Sequence, residues 1–342
     1  MPIATTGKVL VSGANGFLAV WVVRAFLENG YSVRGAVRSA DKGVHLSKIF
    51  NEYREKFEVV EVPDITKGRR CEGAFDEAVK GVDAIAHTAS PYHFKADDPA
   101  ELLEPAIKGT VGMLESARKC GTAVKRIVIT SSTAAVVHDE PTPQTFTEAD
   151  WDDQAVENVQ RDGRNASNVH KYRASKTLAE RAAWDFMKTH GSSLGWDLTV
   201  LNPPLILGPI LHEVPSPSLL NTSALQMYNT YATPDFVSGG GCWVDVRDIA
   251  LAHVLAVKKE AAGGERIIIS REAFWWQDWL DATPEAAKSN PKYQKGKPGS
   301  QKDVIPPVSY DASKSVRILG IKYRDMEETA RDVVRDYEER GW

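Results

Sequence analysis

Tyrosine–lysine pairs at the spacing i, i+4 are the residues of this chain best suited to chemistry. The spacing occurs three times, at Tyr172/Lys176, Tyr293/Lys297 and Tyr310/Lys314. On a helix, two side chains four residues apart share one face. A free tyrosine has a pKa of ~10 and is a slow acid near neutral pH, but a neighbouring ammonium lowers that pKa. Such a pair predicts a phenol that protonates a carbonyl oxygen as hydride reaches the carbonyl carbon.

Sequence context separates the three pairs. The second pair spans Gly296 and abuts Pro298, and both residues disfavour a helix. The third pair is compatible with a helix, but no hydroxyl-ended strand is predicted before it and no strand after it. We therefore expect structural surface roles for both of them and assign the chemistry to Tyr172 and Lys176.

Ser132 is the hydroxyl that we expect to work with this pair. The apolar run 126–131 predicts a strand with hydroxyls at its carboxyl end, the edge at which open α/β sheets bind ligands. There Ser132 is placed to hydrogen-bond a carbonyl oxygen, where negative charge grows during hydride transfer. Its neighbour Ser131 is expected to bond the backbone. The predicted catalytic set is thus Ser132, Tyr172 and Lys176.

Short apolar strands alternate with helices through residues 1–202. The predicted strands cover 9–12, 32–37, 57–62, 84–88, 126–131 and 197–202, and the helices between them include 18–28, 103–119 and 174–188. Continuous apolar strands that alternate with helices predict a parallel sheet covered on both faces. The fold class is therefore α/β with a doubly wound parallel sheet.

The pattern changes after residue 202. The stretch 203–209 contains three prolines and is predicted to be irregular. A strand and a helix are predicted again over 242–258, another strand over 266–270, and a final helix over 326–339. We predict a nucleotide-binding domain over 1–202 and 242–270, and a smaller C-terminal substrate-binding lobe over 203–241 and 271–342.

A glycine-rich turn joins the first predicted strand to the first helix, in the segment Gly13-Ala14-Asn15-Gly16-Phe17-Leu18-Ala19. Gly13 suits the tight turn, and Gly16 lets the backbone approach a pyrophosphate at the free N–H groups of the helix. Ala19 lets the helix pack close to the sheet. Because the motif follows a strand and precedes a helix, it indicates a Rossmann-type dinucleotide site.

The end of the second predicted strand indicates which dinucleotide is bound. An acidic residue there binds the ribose hydroxyls of NAD, whereas an arginine accommodates the 2′-phosphate of NADP. This strand end carries Arg38 and no acid, and Lys42 follows within a turn, although Asp41 beside it weakens the argument. We predict that the cofactor is NADP(H).

Composition excludes several classes of function. A net charge of −4 with no long basic run argues against nucleic acid as a partner. The three cysteines are far apart and the eight histidines do not cluster, so neither a disulfide framework nor a metal site is predicted. We see no secretory signal and no apolar segment of bilayer length. We expect a cytoplasmic protein, monomeric or homodimeric, with no membrane partner.

Taken together, these motifs resemble those of the extended short-chain dehydrogenase/reductases. More narrowly, the chain is similar to the branch that holds dihydroflavonol and cinnamoyl-CoA reductases and the fungal methylglyoxal and aldehyde/ketone reductases. The resemblance extends over nearly the whole chain. The matching segments are Ser12-Gly13-Ala14-Asn15-Gly16-Phe17, Asp64-Ile65, His87-Thr88-Ala89-Ser90-Pro91, Pro105-Ala106-Ile107-Lys108-Gly109-Thr110, Thr130-Ser131-Ser132, Tyr172 with Ala174-Ser175-Lys176, Asn202-Pro203-Pro204 and Trp243-Val244-Asp245-Val246-Arg247-Asp248.

The resemblance implies further site residues, and the family's catalytic serine, tyrosine and lysine fall on the set already chosen. Asp64 and Ile65 would frame the adenine, and Pro203 would lie by the nicotinamide. The cofactor-binding residues that we expect are Gly13, Asn15, Gly16, Phe17, Leu18, Arg38, Lys42, Asp64, Ile65, Thr88, Ala89, Ser90, Tyr172, Lys176, Pro203, Ile206 and Ser218. Ala106 occupies the position at which many extended members carry an asparagine of the proton relay. Water or the ribose hydroxyls are expected to carry the proton instead.

The segment 203–236, which we expect to cover the substrate, contains no lysine or arginine, and only Glu213 and Asp235 are charged. Sugar nucleotides and CoA esters bring phosphates that need cations, so a neutral carbonyl compound is favoured. Two sets of large side chains, all aromatic except Met227, are candidates for the pocket or for the core. They are Tyr92, Phe94, Met227, Tyr228, Tyr231 and Trp243 in one set, and Phe274, Trp275, Trp276 and Trp279 in the other.

The function predicted from the sequence is NADPH-dependent reduction of neutral aldehydes or ketones to alcohols. Two alternatives stay open: a hydroxysteroid- or flavonoid-type dehydrogenase of the same fold, and a redox sensor that binds NADP without turnover. The intact catalytic set disfavours the sensor, because binding alone does not require a proton donor.

Overall fold

The computed structural model describes residues 4–66, 73–90, 96–234, 239–301 and 303–342. In chain order, its strands are β1 (Lys8–Ser12), β2 (Ser32–Val37), β3 (Phe57–Glu61), β4 (Ala84–His87), β5 (Arg126–Thr130), β6 (Gln144–Phe146), β7 (Asp197–Asn202), β8 (Leu205–Leu207), β9 (Gly240–Asp245), β10 (Arg266–Ile268), β11 (Glu272–Trp275) and β12 (Val308–Tyr310).

Helices lie between these strands and at the C-terminal end of the chain. They are α1 (Phe17–Glu28), α2 (Asp41–Ile49), α3 (Ala100–Cys120), α4 (Asp153–Asp162), α5 (Asn168–His190), α6 (Thr222–Ala232), α7 (Val246–Lys258), α8 (Trp276–Asp281), α9 (Glu285–Lys288), α10 (Ser313–Leu319) and α11 (Met326–Glu339). Short 3₁₀ turns include Thr133–Ala135 and Pro217–Leu219.

Seven of the described strands form one parallel sheet in the order β10-β7-β5-β4-β1-β2-β3. The order reverses between β1 and β4, and the crevice outside the carboxyl ends of the strands at such a point is where doubly wound sheets bind ligands. The predicted fold class, a Rossmann-type doubly wound parallel sheet, is confirmed.

Helices cover both faces of this sheet, which explains its nearly continuous apolar strands. On one face α1 packs against α7, and Phe26 and Val254 are fully buried there. On the other face α3 packs against α5, with Met113 and Leu114 buried. Every residue of β7 is buried. Burial on both faces is the normal state of a central parallel strand.

Two small sheets lie outside the large one. The first has the order β11-β9-β8, with β8 parallel and β11 antiparallel to β9. The second pairs β12 with β6 in parallel. The expectation that 203–209 is irregular is therefore wrong, because Leu205–Leu207 forms β8 between the flanking prolines. The C-terminal region also holds more structure than expected, since it supplies β11, α8, β12 and α10.

The smaller lobe has its own aromatic core. Met227, Tyr231 and Trp243 are buried in one cluster with Phe274, Trp276 and Trp279, and the rings of Trp243 and Trp279 meet edge to face at 4.7 Å. Of the two sets of large side chains, these residues therefore belong to the core. Tyr92, Phe94 and Asp235 lie outside the described residues.

The predicted division of the chain meets one complication at 242–258. Helix α7 packs on α1 in the large unit, whereas β9, directly before it, pairs with β8 and β11. We therefore keep the division into a nucleotide-binding domain and a smaller lobe as a proposal. In it, β9 belongs to the three-stranded sheet β11-β9-β8.

Candidate active site

The glycine turn lies between β1 and α1 and leaves an anion-binding end on the helix. Gly13 has a φ of +65°, and a Cβ added there would lie 3.2 Å from Cβ of Ala89. The N–H of Gly16 donates to the carbonyl of Gly13 at 2.9 Å. Within the described residues, no side chain caps α1 and no acid lies in its first turn. Its N–H groups thus face the crevice without a competing carboxylate.

A buried hydroxyl fixes the end of β4 beside this turn. The N–H groups of Thr88 and Ala89 each donate to Oγ of Ser12 at 3.0 Å. The Ser12 hydroxyl lies 2.9 Å from Nδ1 of His87 and donates its own proton there, because its acceptor sites are already used. Burial, helped by the charge of Lys176, lowers the pKa of His87 to about 4. His87 is therefore neutral, and the strand end 88–90 is held in place.

The three predicted catalytic residues line a single cavity of about 480 Å³. Ser132 follows β5, where its Oγ accepts from the N–H of Ala134 at 3.1 Å. Tyr172 and Lys176 both lie on α5, with Nζ of Lys176 5.8 Å from the centre of the Tyr172 ring. Helix α5 begins earlier than predicted, since the Ser167 side chain caps it by accepting from the N–H of His170 at 3.1 Å.

The glycine turn and the carboxyl ends of several strands line the same cavity as the catalytic set. Among the predicted cofactor-binding residues, those in the lining are Gly13, Gly16, Phe17, Leu18, Thr88, Ser90, Tyr172, Lys176, Pro203 and Ile206. The structure thus brings the predicted catalytic residues and most of the predicted cofactor-binding residues together at one edge of the large sheet.

Lys176 is almost enclosed, with 9% of its surface exposed. Its Nζ donates to Oγ of Ser90 at 3.0 Å. Burial lowers the pKa of Lys176 to about 8, and the carboxylate of Glu180 opposes that shift. The ammonium consequently gives up its proton more readily than an ordinary lysine does.

A buried network of charged and polar side chains adjoins the catalytic set. The Glu180 carboxylate accepts from Nε of Arg266 at 2.5 Å and from Nδ2 of Asn202 at 2.7 Å. It also accepts from Oγ of Ser131 at 2.5 Å, so the expectation that Ser131 bonds the backbone is wrong. The Asn202 amide further donates to the carbonyl of Ser132 at 3.1 Å. The ends of β5 and β7 are thereby tied to α5.

Several residues that line the cavity were not predicted from the sequence to belong to the site. They are Val137, Val169, Arg173, Asn221, Ser223, Cys242 and Tyr310. Arg173 carries charge, but its guanidinium lies 2.8 Å from Asp139 and 4.0 Å from Asp152. The charge of this wall is therefore balanced. Arg173 directly follows Tyr172, and this adjacency was the available signal for it.

The surface role expected for Tyr310 is wrong. Tyr310 ends β12 and lines the cavity together with Thr133. Burial raises its pKa above the ordinary value, so the phenol stays neutral. Lys314, the other member of this tyrosine–lysine pair in the sequence, forms an ion pair with Glu265 at 2.7 Å. Tyr293 is buried in the smaller core, so its expected surface role is also wrong.

Other predicted cofactor-binding residues lie outside the cavity lining. Arg38 is exposed just past β2 and makes no ion pair with any described residue, whereas Lys42 lies 3.8 Å from Asp41. The Asp64 carboxylate accepts from the N–H of Thr66 at 2.8 Å. Ser218 is exposed and its hydroxyl lies 3.0 Å from that of Ser216.

The remaining three predicted cofactor-binding residues are Asn15, Ala89 and Ile65. Asn15 is half-buried inside the glycine turn. Ala89 lies against Gly13, and Ile65 packs so closely under α3 that a Cβ on Gly109 would lie 2.9 Å from it.

The part of the chain that the structure describes holds neither a candidate metal site nor a candidate membrane span. No group of three or more His, Cys, Asp or Glu side chains there is arranged to hold a metal ion. No helix among these residues combines the length and the apolar character needed to cross a membrane.

Comparison with known proteins agrees with this geometry. The model of the NAD dependent epimerase/dehydratase family matches residues 9–270. The NADPH-dependent methylglyoxal reductase Gre2 of Saccharomyces cerevisiae is 35% identical over 340 residues, covering 95% of this chain and 96% of that protein. The ketoreductase azaE of Aspergillus niger is 35% identical over 349 residues, covering 96% of each.

A solved structure extends the likeness to three dimensions. The crystal structure of the yeast methylglyoxal/isovaleraldehyde reductase Gre2 complexed with NADPH superposes with a TM-score of 0.86 at 34% identity. It covers 98% of this chain and 99% of that one. The chain therefore belongs to the NAD dependent epimerase/dehydratase family, as an extended short-chain dehydrogenase/reductase.

Proposed function

We propose that this chain is an NADPH-dependent carbonyl reductase that converts small neutral aldehydes or ketones to alcohols. The observation that carries the proposal is the convergence of Ser132, Tyr172 and Lys176 on the cavity that also contains the glycine turn. The names of its relatives, a methylglyoxal reductase and a ketoreductase, support the same class of reaction.

The residues of the site fit an NADP cofactor. Gly13 leaves no room for a side chain beside Ala89, and the uncapped start of α1 offers N–H groups to a pyrophosphate. Arg38, exposed at the end of β2, is available to a 2′-phosphate, with Lys42 one turn further on. When bound, NADPH supplies the hydride.

The chain's own residues handle the carbonyl oxygen. Ser132 donates a hydrogen bond to that oxygen as it gains negative charge, which stabilises the transition state. Tyr172 gives its hydroxyl proton to the same oxygen. The Lys176 ammonium favours the resulting phenolate, because a nearby positive charge stabilises the charged form of a phenol.

The substrate end of the cavity suits a neutral compound. Arg173 is balanced by Asp139 and Asp152, so it offers no net charge to a phosphate. Val137, Val169 and Cys242 make the wall largely apolar. Tyr310 adds a neutral phenol to this wall.

The protonation state of Lys176 should set the pH dependence of kcat for carbonyl reduction. Its pKa is about 8, and reduction needs the ammonium form. We therefore expect kcat for reduction to fall as the pH rises through about 8. A pH–rate profile with saturating NADPH measures this limb.

The decisive experiment measures NADPH and NADH oxidation with a panel of neutral carbonyl compounds. We expect Tyr172→Phe to lose about 100- to 10,000-fold in kcat, the range of general acid catalysis, with a far smaller change in the NADPH Kd. Tyr53→Phe, a phenol outside the cavity, is the matched control. Full activity in Tyr172→Phe would refute the mechanism, and NADPH binding without turnover of any carbonyl would favour a redox sensor.

The choice of cofactor has its own test. Removing the guanidinium in Arg38→Ala should raise the KM for NADPH and leave the KM for NADH unaltered, because only NADPH carries the 2′-phosphate. A wild-type preference for NADH would contradict the assignment. We also propose a cytoplasmic location and a monomeric or homodimeric state, which fractionation and size-exclusion chromatography would test.

A further inference from the structure

Turnover leaves Tyr172 without its proton, and that proton must be replaced from the solvent that reaches the cavity. Lys176 lies beside Tyr172 and has only 9% of its surface exposed. A cavity group in contact with Lys176 is therefore well placed to pass a proton to it.

Helix α3 does not provide that group at Ala106. The side chain there is a methyl group with 4% of its surface exposed, and it can neither donate nor accept a proton. Ala106 therefore cannot pass a proton to Lys176.

The hydroxyl of Ser90 is in direct contact with the ammonium. Its Oγ accepts from Nζ of Lys176 at 3.0 Å, and Ser90 is half-buried in the cavity wall. The preceding residues Thr88 and Ala89 are fixed by their bonds to Ser12. Ser90 thus directly follows two anchored residues, with one side toward Lys176 and part of its surface open to the cavity.

We propose that Ser90 positions the Lys176 ammonium and is the next group on the path that returns protons to it. Tyr172 gives its hydroxyl proton to the substrate oxygen, and the phenolate takes a proton from the ammonium, directly or through water. As the neutral amine takes the proton of the Ser90 hydroxyl, the Ser90 oxygen takes one from a cavity water in the same concerted step, and bulk solvent returns to that water the one proton that each reduction consumes. Each group ends the cycle with the protons it began with. This inference rests on the proposed function.

The charges around Lys176 decide the sign of the expected pH effect. Glu180 lies one turn further along α5 and favours the ammonium, and its own charge is shared with Arg266. From β4, His87 faces Lys176 as a neutral ring. Tyr172 lies on the same helix face. Loss of the Ser90 hydroxyl removes an acceptor from the ammonium, so the charged form becomes less favourable and the pKa of Lys176 falls further.

The test compares Ser90→Ala, Ser90→Thr and wild type across pH, with Ser193→Ala as a matched control whose hydroxyl bonds the carbonyl of His190 outside the cavity. We expect Ser90→Ala to lower kcat by about tenfold or more, since proton-transfer groups contribute at this level or above. The basic limb of its kcat profile should move to lower pH. Ser90→Thr keeps the hydroxyl and should restore both, and Ser193→Ala should match wild type.

A second readout does not depend on turnover. In protein labelled with ¹⁵N at the lysine side chains, the Nζ signal of Lys176, assigned with Lys176→Arg, should titrate at lower pH in Ser90→Ala than in wild type. An unchanged titration together with an unchanged pH profile would overturn the inference. So would a loss confined to the NADPH Kd, which would make Ser90 a cofactor contact only. Failure of wild type to reduce any carbonyl would instead refute the proposed function, and an unshifted Nζ titration would still overturn the role of Ser90.

Discussion

Two buried arginine–carboxylate pairs lie at opposite ends of the central strands. At the amino end of β5 and β7, Arg126 holds Asp197 through two bonds, of 2.5 and 2.7 Å. Towards the carboxyl end, Arg266 holds Glu180 at 2.5 Å. Both pairs are almost fully buried. Burial therefore does not distinguish them, although Arg126 bonds its carboxylate twice and Arg266 bonds its carboxylate once.

The difference lies in what each pair holds. The remaining donors of Arg126 reach the backbone carbonyls of Ala256 and Lys259, at the end of α7 and just beyond it. The Glu180 carboxylate instead accepts from Ser131 and Asn202, next to the cavity. We infer that the first pair serves stability alone, whereas the second also sets the geometry and charge of the catalytic residues.

The largest effect on stability should come from breaking the first pair. Arg126→Met leaves the Asp197 carboxylate buried without a partner, which costs about 3–5 kcal/mol of the free energy of unfolding. Activity per folded molecule should stay at the wild-type level. Urea unfolding followed by fluorescence measures the first quantity, and kcat normalised to bound NADPH measures the second. A loss of kcat in the folded fraction would show that the two ends of the sheet are coupled.

Glu180→Gln should lower both stability and activity. The substitution keeps the shape of the side chain but removes the charge that Arg266 pairs with, so we expect a loss of about 1–3 kcal/mol in the free energy of unfolding. It also removes the carboxylate that favours the Lys176 ammonium. The basic limb of the kcat profile should therefore move to lower pH.

Asp197→Asn is the matched control for this change, because it neutralises the other buried carboxylate. It should destabilise the protein and leave the pH profile where it is. If both variants shift the profile equally, the distinction between the two pairs is wrong.

An exposed ion pair on α1 should have the smallest effect on stability, and it serves as the baseline for the two buried pairs. Arg24 and Glu28 lie 2.8 Å apart on α1, with side chains 41% and 49% exposed. Exposed pairs of this kind contribute about 0.3–0.5 kcal/mol, so Arg24→Ala should leave thermal unfolding almost unaltered. A loss comparable to that of Arg126→Met would mean that burial is not the origin of the larger cost.

The sequence allowed most of the large sheet to be predicted. The strands 32–37 and 197–202 and the helix 326–339 have the predicted bounds, because long apolar runs and helical periodicity are local signals. The glycine turn and the residues around Tyr172 are local signals too, and they identified the edge of the large sheet at which the site lies. The family resemblance was confirmed as well, while the individual roles of the site residues stay predictions.

The missed parts depend on contacts between distant segments. Strands β8 and β12 have three residues each, too few to show an alternation, and β12 needs β6 as its partner. Tyr310 therefore looked like a surface residue, although it lines the cavity. Met227 and Trp243 looked compatible with a pocket, because an apolar side chain suits a core and a pocket equally well.

The pairing of β12 with β6 has a consequence for how the protein is made. The hydroxyls of Thr145 and Ser309 meet at 2.7 Å across 164 positions of the chain. During synthesis, N-terminal domains fold first, so the glycine turn, Ser132 and α5 are assembled while β6 still lacks its partner. The wall that contains Tyr310 closes only when β12 has left the ribosome and can pair with β6. A nascent chain should thus acquire its cofactor pocket before its substrate pocket.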